Sequence, residues 1–306
     1  MITLNEAWQM NCKGEDSWQE GQVPGTVYTD LLRNGQIKDP YVGENEDEVR
    51  DLSYNDYTYC RTFEVEEKTL QNTKNVLVCE GLDTLADVYL NGTHMGSCEN
   101  MHRTYRFDVT ELLKAGTNEI VVELHSPLKY MDEQYEKRPL WGVSSTVPGY
   151  QHIRKAHCMF GWDWGPKLPD LGIWRSIYIE EIQNGRIESV YLRQKLSGNE
   201  ACLTAEVENE IFTEAEGMQM VCIVTAPVSE IWYCGRILLL ESDGFHCAGF
   251  RHFPPASRGI ISARAAMAFS TAFSSVSLNV SMTIFPTNTT ARHAALFSQS
   301  GTGTGR

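Results

Sequence analysis

The sequence predicts an all-β chain: a jelly-roll β-sandwich, then an immunoglobulin-like β-sandwich that is left incomplete. Three observations lead there. Short runs of alternating or continuous apolar residues recur at hairpin spacing, turn signals separate them, and helical patterns are few. Helices are expected only at residues 27–33 and 128–137. Thr58 to Val65 alternates, and Asn75 to Glu80 is a buried-type run. Residues 86–90 lead into Asn91-Gly92, the strongest short hairpin signal. Thr104 to Val109, Asn118 to Leu124 and Trp174 to Glu180 complete a first domain, residues 1–185. A second β unit, residues 186–226, opens with runs at 187–192, 201–207 and 218–224. Three strands are too few for an immunoglobulin-like sandwich of about seven.

Composition is globular, with 42% hydrophobic and 22% charged residues. The net charge of -14 repels nucleic acid phosphates and anionic lipid, so neither is an expected partner. A neutral ligand is indifferent to it. The composition breaks near Pro227. From there to Arg306 there is no Lys, and six Arg face three acids, so the segment carries +3 and the remainder -17. Residues 227–306 are therefore expected to be an aberrant, possibly out-of-frame tail with no assignable fold. Nine scattered Cys, an odd count with no C-x-x-C pair, no basic n-region and no long apolar run point to reduced thiols and a cytoplasmic setting without a membrane span.

The most informative segment is Gly161-Trp162-Asp163-Trp164-Gly165-Pro166. A sugar presents weakly polar C–H faces and a ring of hydroxyls. Indole faces suit the first, and a carboxylate accepting from two hydroxyls suits the second. The plain alternative is a buried Trp pair around a turn Asp.

The chain resembles the N-terminal domain of β-mannosidases of glycoside hydrolase family 2. The resemblance rests on Glu80 to Gly92, on Asn100 to Thr110, and above all on His157 to Arg175 with its FGWDWGPKLPDLGIWR run; Val23-Pro24-Gly25-Thr26-Val27 and Asp39-Pro40-Tyr41 also fit. It covers roughly residues 1–226. It implies a jelly-roll domain of galactose-binding-like type, an immunoglobulin-like sandwich and then a TIM barrel. It also implies a retaining exo-hydrolase acting on terminal β-D-mannose, so the expected partner is a β-mannoside or manno-oligosaccharide. Both catalytic carboxylates, about 5–5.5 Å apart in such enzymes, are glutamates of the barrel. The chain shows no βα repeat that could build one, so it holds no catalytic residue and is expected to be inactive by itself. The resemblance assigns Asp163 to hydroxyls of the terminal mannose and Trp174 to a wall of the same subsite. Trp162 and Trp164 either pack around Asp163 or touch the sugar.

Other motifs point to ordinary structure. Asn45-Glu46, Asn118-Glu119 and Asn209-Glu210 match the acid/base pair only as dipeptides and read as solvated loop or strand. His102, His152 and His157 fit no zinc spacing, and the acidic run at 44–48 lacks the calcium-loop pattern and reads as a solvated loop. No cofactor or metal is expected. Two other functions compete: a stand-alone carbohydrate-binding module, and an interaction module using a sheet face.

Overall fold

The structure is a computed structural model that describes residues 1–163, 165–197, 200–212, 218–225, 232–238, 257–268 and 279–286. Trp164 and most of residues 227–306 lie outside the described residues. The chain divides into two compact units, Met1–Glu181 and Ile182–Arg306.

In the first unit the strands are β1 (Ile2–Thr3), β2 (Trp8–Cys12), β3 (Gln19–Gly21), β4 (Tyr57–Val65), β5 (Lys74–Cys79), β6 (Leu85–Leu90), β7 (Thr93–Cys98), β8 (Tyr105–Asp108), β9 (Gly116–His125), β10 (Phe160–Trp162), β11 (Gly165–Lys167) and β12 (Ile177–Ile182). The last residue of β12 belongs to the second unit. A four-stranded sheet runs β1-β12-β5-β8, a six-stranded sheet β3-β2-β4-β9-β6-β7, and β10 and β11 form a separate hairpin. The strand pairs within them are antiparallel. One core cluster takes Leu77, Ile177 and Ile179 from the first sheet and Met10, Tyr59, Val88, Ile120 and Val122 from the second. The two sheets thus share one interior, as the alternation predicts. Ala86, Val88 and Leu90 face it while the residues between them are half exposed. Each fully buried large apolar side chain contributes about 1.5–3 kcal/mol.

Local chemistry explains the punctuation. Asn91 and Gly92 both have positive φ (50° and 78°), as the tight turn between β6 and β7 requires. Helix α1 (Val27–Arg33) starts in a capping box between Thr26 and Thr29. Helix α2 (Asn45–Asp51) occupies the acidic run expected to be loop. Glu46, Asp47 and Glu48 lie in the first turn, where the helix dipole favours them, and Arg50 near the end pairs with Asp47 and with the last residue, Asp51. Helix α3 (Pro127–Lys137) has Ser126 capping Lys129 N–H and Pro127 at its start.

A buried ion pair joins distant parts of this unit. The Lys155 ammonium donates to the Asp83 carboxylate and to the Asp170 carbonyl. Both side chains of the pair are shut off from solvent. Asp83 and Gly172 exchange both backbone hydrogen bonds, at 2.8 and 3.0 Å. A Cβ on Gly172 would overlap the backbone of Gly25 and Thr26, so only glycine lets these chains touch.

The second unit has β13 (Gly185–Ser197), β14 (Glu200–Ile211), β15 (Met218–Thr225), β16 (Trp232–Leu238), β17 (Ser257–Ala268) and β18 (Asn279–Pro286). They form two three-stranded sheets, β13-β14-β17 and β16-β15-β18. The described residues thus include strands in the tail, where the sequence shows little sustained period. In β18 Val280, Met282 and Ile284 do alternate with Ser281 and Thr283. That short signal is diluted in the composition of the eighty residues around it.

Replacing Lys155 by Met strands a buried carboxylate. It is expected to lower stability of the first unit by about 3–5 kcal/mol in denaturant melts. Adding Asp83→Leu is expected to recover most of that loss, because the uncompensated charge goes too. A single variant within about 1 kcal/mol of the parent contradicts this role.

Candidate functional site

The Trp-Asp-Trp segment is a hairpin tip. Phe160 pairs with Lys167 and Trp162 with Gly165. Between them Asp163 lies in the turn. Phe160 anchors the base and is completely buried against Leu128 and Met131 of α3 and Ile153. Gly161 has φ 86°, and a Cβ there would meet Lys167 Cγ at 2.5 Å, so a side chain would prise the strands apart. Exposure rises from base to tip: Trp162 is 45% exposed, and Asp163 is exposed. The Asp163 carboxylate makes no hydrogen bond to another described residue. A buried Trp pair around a turn Asp therefore does not describe Trp162.

Beyond the hairpin the chain dives back inside. Asp170 is buried, and its Oδ1 accepts from the Tyr28 and Leu171 N–H groups at 3.1 and 2.7 Å. Burial pushes its pKa up to about 7 against the pull of the Thr26 side chain, those N–H groups and Lys155. Trp174 is half-buried at the far end of the segment. Its Nε1–H donates to the Met101 carbonyl at 3.0 Å, Gly81 leaves room for the ring, and the Arg175 guanidinium lies 4.2 Å over the ring. Trp174 thus wedges the 81 and 101 segments together. The contacts of Trp174 and those of the hairpin do not meet among the described residues, though Met101 Sδ accepts from Ala156 N–H one residue before His157.

The three histidines are apart in role. His152 Nε2 bonds the Arg138 carbonyl at 3.0 Å, His157 packs edge-on against Tyr150 at 4.9 Å, and the backbone N–H of His102 donates to Asn100. Among the described residues no group of three or more His, Cys, Asp or Glu has the arrangement to hold a metal ion. Arg103 lies over the Tyr105 ring at 5.6 Å. Of the Asn-Glu pairs, one opens α2 and the others lie within β9 and β14. Arg186 Nε binds Glu210 at 2.8 Å.

Sequence reasoning passed over a second polar cluster. On the six-stranded sheet Asp87 accepts from Ser97 and contacts His94 Nε2 at 3.0 Å and His125 Nε2 at 2.8 Å. Burial pushes this carboxyl up, but the hydrogen bonds from Ser97, His125 and His94 outweigh it and hold it at about 2. A cavity of about 400 Å³ opens beside it, lined also by Lys129, Tyr130 and Glu133. Alternation puts Asp87 and His125 on the solvent side of their strands, but nothing in the sequence pairs them across β6, β7 and β9.

An antiparallel two-sheet sandwich of this kind defines a fold class, and comparison with known proteins bears that fold out. Residues 8–175 match the family model described as the glycosyl hydrolase 2 galactose-binding domain-like domain, and the chain belongs to that family. Within it the chain resembles the N-terminal part of β-mannosidases. It is 37% identical to the β-mannosidase of Capra hircus over 188 residues, 58% of this chain and 21% of that protein. Against the β-mannosidase B of Aspergillus niger it is 31% identical over 225 residues, 71% of this chain and 26% of that one. The crystal structure of the β-D-mannosidase from Dictyoglomus thermophilum superposes with TM-score 0.82 at 25% identity, over 98% of this chain and 36% of that chain. An exo-chitosanase from Amycolatopsis orientalis shares the fold, with TM-score 0.60 at 14% identity over 93% of this chain and 31% of that chain. The chain spans about a fifth to a quarter of the length of the curated relatives it matches.

For Asp170 the sign of the pH effect is fixed. Its folded pKa lies above the ordinary carboxyl value of 3.8, so its contribution to stability is fully present below that value and is lost as pH rises through about 7. Asp170→Asn keeps an oxygen for both N–H groups and is neutral throughout. In denaturant melts from pH 4 to 8, the parent is expected to lose stability on rising pH and the variant to lose less. Parallel profiles contradict the assignment.

Proposed function

We propose that the chain is the sugar-facing N-terminal part of a β-mannosidase, a retaining exo-glycoside hydrolase that removes terminal non-reducing β-D-mannose. In this reading Asp163 accepts hydrogen bonds from hydroxyls of the terminal mannose. Trp162 offers an indole face beside it. Trp164, which the resemblance puts in the same loop, lies outside the described residues, and the part the resemblance gives Trp174 stands as a proposal, since its N–H is taken by the Met101 carbonyl. The observation that carries the reading is the Asp163 carboxylate, exposed and unengaged by the described residues at the tip of a hairpin whose base is buried. The sugar is taken from the β-mannosidases that the chain resembles. A carboxylate that takes two hydroxyls in a dry site discriminates against a ligand lacking them, since its lone pairs then go unmet.

Hydrolysis needs a paired nucleophile and acid/base, which this reading assigns to a barrel that the 306 residues do not encode. The purified chain is expected to release no aglycone from an aryl β-mannoside. It is expected to bind manno-oligosaccharide weakly, with Kd above about 1 mM, or about -4 kcal/mol. Asp163→Ala is expected to weaken this about tenfold or more. Turnover by the pure chain contradicts the missing glutamates, and unchanged binding by Asp163→Ala contradicts the role of Asp163. A Kd below about 1 mM moves the reading to a stand-alone carbohydrate-binding module, which the exposure of Trp162 favours.

We also propose a reducing, cytoplasmic setting, supported by the free thiols of Cys12, Cys60, Cys79, Cys98 and Cys158. For residues 227–306 we propose out-of-frame translation, supported by the absence of Lys there. The strands Ser257–Ala268 and Asn279–Pro286 favour a genuine continuation instead. Reading the DNA past the codon for Ala226 in the two other frames decides between them. A barrel-encoding sequence there is the expected result, and its absence from both frames contradicts the frame loss.

A further inference from the structure

Trp141 is the most exposed large apolar side chain among the described residues, at 89%. A free indole in water is ordinary when it hangs on a loose loop. This one is held from behind. Gln151 Nε2 donates to the Trp141 carbonyl at 2.8 Å, and His152 Nε2 bonds the Arg138 carbonyl at 3.0 Å. A Cβ on the next residue, Gly142, would meet Gln151 Nε2 at 2.5 Å and Tyr150 Cε1 at 3.3 Å, so the backbone beside Trp141 presses onto that wall. The backbone is fixed while the ring faces solvent, an arrangement that lowers the entropy cost of stacking a ligand.

The same wall supports the Asp163 hairpin. Tyr150 packs on Phe160 with ring centroids 6.0 Å apart, and Val147 N–H donates to the Phe160 carbonyl at 2.9 Å. A Cβ on Gly161 would lie 3.4 Å from the Ser145 carbonyl oxygen. The loop bearing Trp141 thus runs along the base of the hairpin, and the two share the minor core of Leu128, Met131, Ile153 and Phe160. Gln151 Oε1 is itself buried, with no hydrogen-bond partner among the described residues, so the Gln151 side chain belongs to the wall behind Trp141 and not to its open face.

We propose that Trp141 is a second sugar-stacking platform, taking a further pyranose of a manno-oligosaccharide whose terminal unit is held at Asp163. The proposal rests on the reading of Asp163 given above. Its chemistry is that of an indole face against the C–H face of a sugar ring, and it assigns Trp141 to chain length rather than to recognition of the terminal mannose.

The test is a titration of the full 306-residue chain with mannose and with mannotriose, followed by NMR shifts of the indole N–H groups. Trp141→Ala is expected to weaken mannotriose binding about tenfold and to leave mannose binding unchanged. Trp141→Phe, which keeps a flat ring, is expected to restore most of the loss. Equal mannotriose affinity for the parent and Trp141→Ala overturns the proposal. So does an equal loss for both sugars, or no mannotriose binding by the parent. If Asp163→Ala loses mannose and Trp141→Ala loses nothing, this proposal fails and the reading of Asp163 stands. If Trp141→Ala shows its mannotriose-specific loss while Asp163→Ala binds as the parent does, Trp141 is supported as a platform and the reading of Asp163 fails.

Discussion

The buried ammonium of Lys155 is the constraint on which the first unit depends. A charge taken out of water costs several kcal/mol unless its partners are close and correctly placed. Here the partners are the Asp83 carboxylate, between β5 and β6, and the Asp170 carbonyl, beyond the hairpin. The segment at Asp83 and both ends of the hairpin-bearing segment, at Lys155 and at Asp170, must therefore meet at one point. Around it Asp83 and Gly172 exchange backbone hydrogen bonds, and Leu171 and Ile173 accept from Val27 and Gly25. A hydrophobic contact would tolerate sliding by an ångström or two, whereas these directional bonds do not. A buried ion pair often gives no more net stability than an apolar replacement, and what the directional bonds add here is a defined position.

That fixed position matters for the site. The segment from Ile153 to Trp174 leaves the interior at Phe160, turns in solvent at Asp163 and returns at Leu168. Lys155 ties it down before the excursion and Asp170 after it. The hairpin tip is thus short, glycine-shaped and carried on a rigid base, which is the condition for a loop residue to act as a defined ligand contact. Trp174, whose N–H is spent on Met101 and whose ring lies under Arg175, stiffens the return of the same segment.

Much of this was legible in the sequence, for physical reasons. The strands of the first unit alternate because one face meets the core, and Asn91-Gly92 reads as a turn because few other pairs accept positive φ twice. The Trp-Asp-Trp segment stood out because indole faces and a carboxylate suit the C–H face and the hydroxyls of a sugar. The clamp was not legible, because Asp83, Lys155 and Asp170 are ordinary surface residue types whose meeting depends on tertiary packing alone. Helix α2 was hidden by its acids, which suggest solvent until the dipole of the first turn is counted. Trp141 was passed over because one Trp in a loop carries no period. Only Gln151 and Gly142, placed by the fold, show it to be held.

Amide hydrogen exchange at Asp83 and Gly172 tests the central claim most directly. Both N–H groups are in the bridge beside the Lys155 ammonium. If the clamp fixes the segment, they exchange only when the whole unit unfolds, at the rate of core amides such as those of Leu77 and Val122. Exchange by local opening, well ahead of the core and in step with the hairpin tip, would show that the segment is not held there, and the account of a rigid base under Asp163 would be wrong.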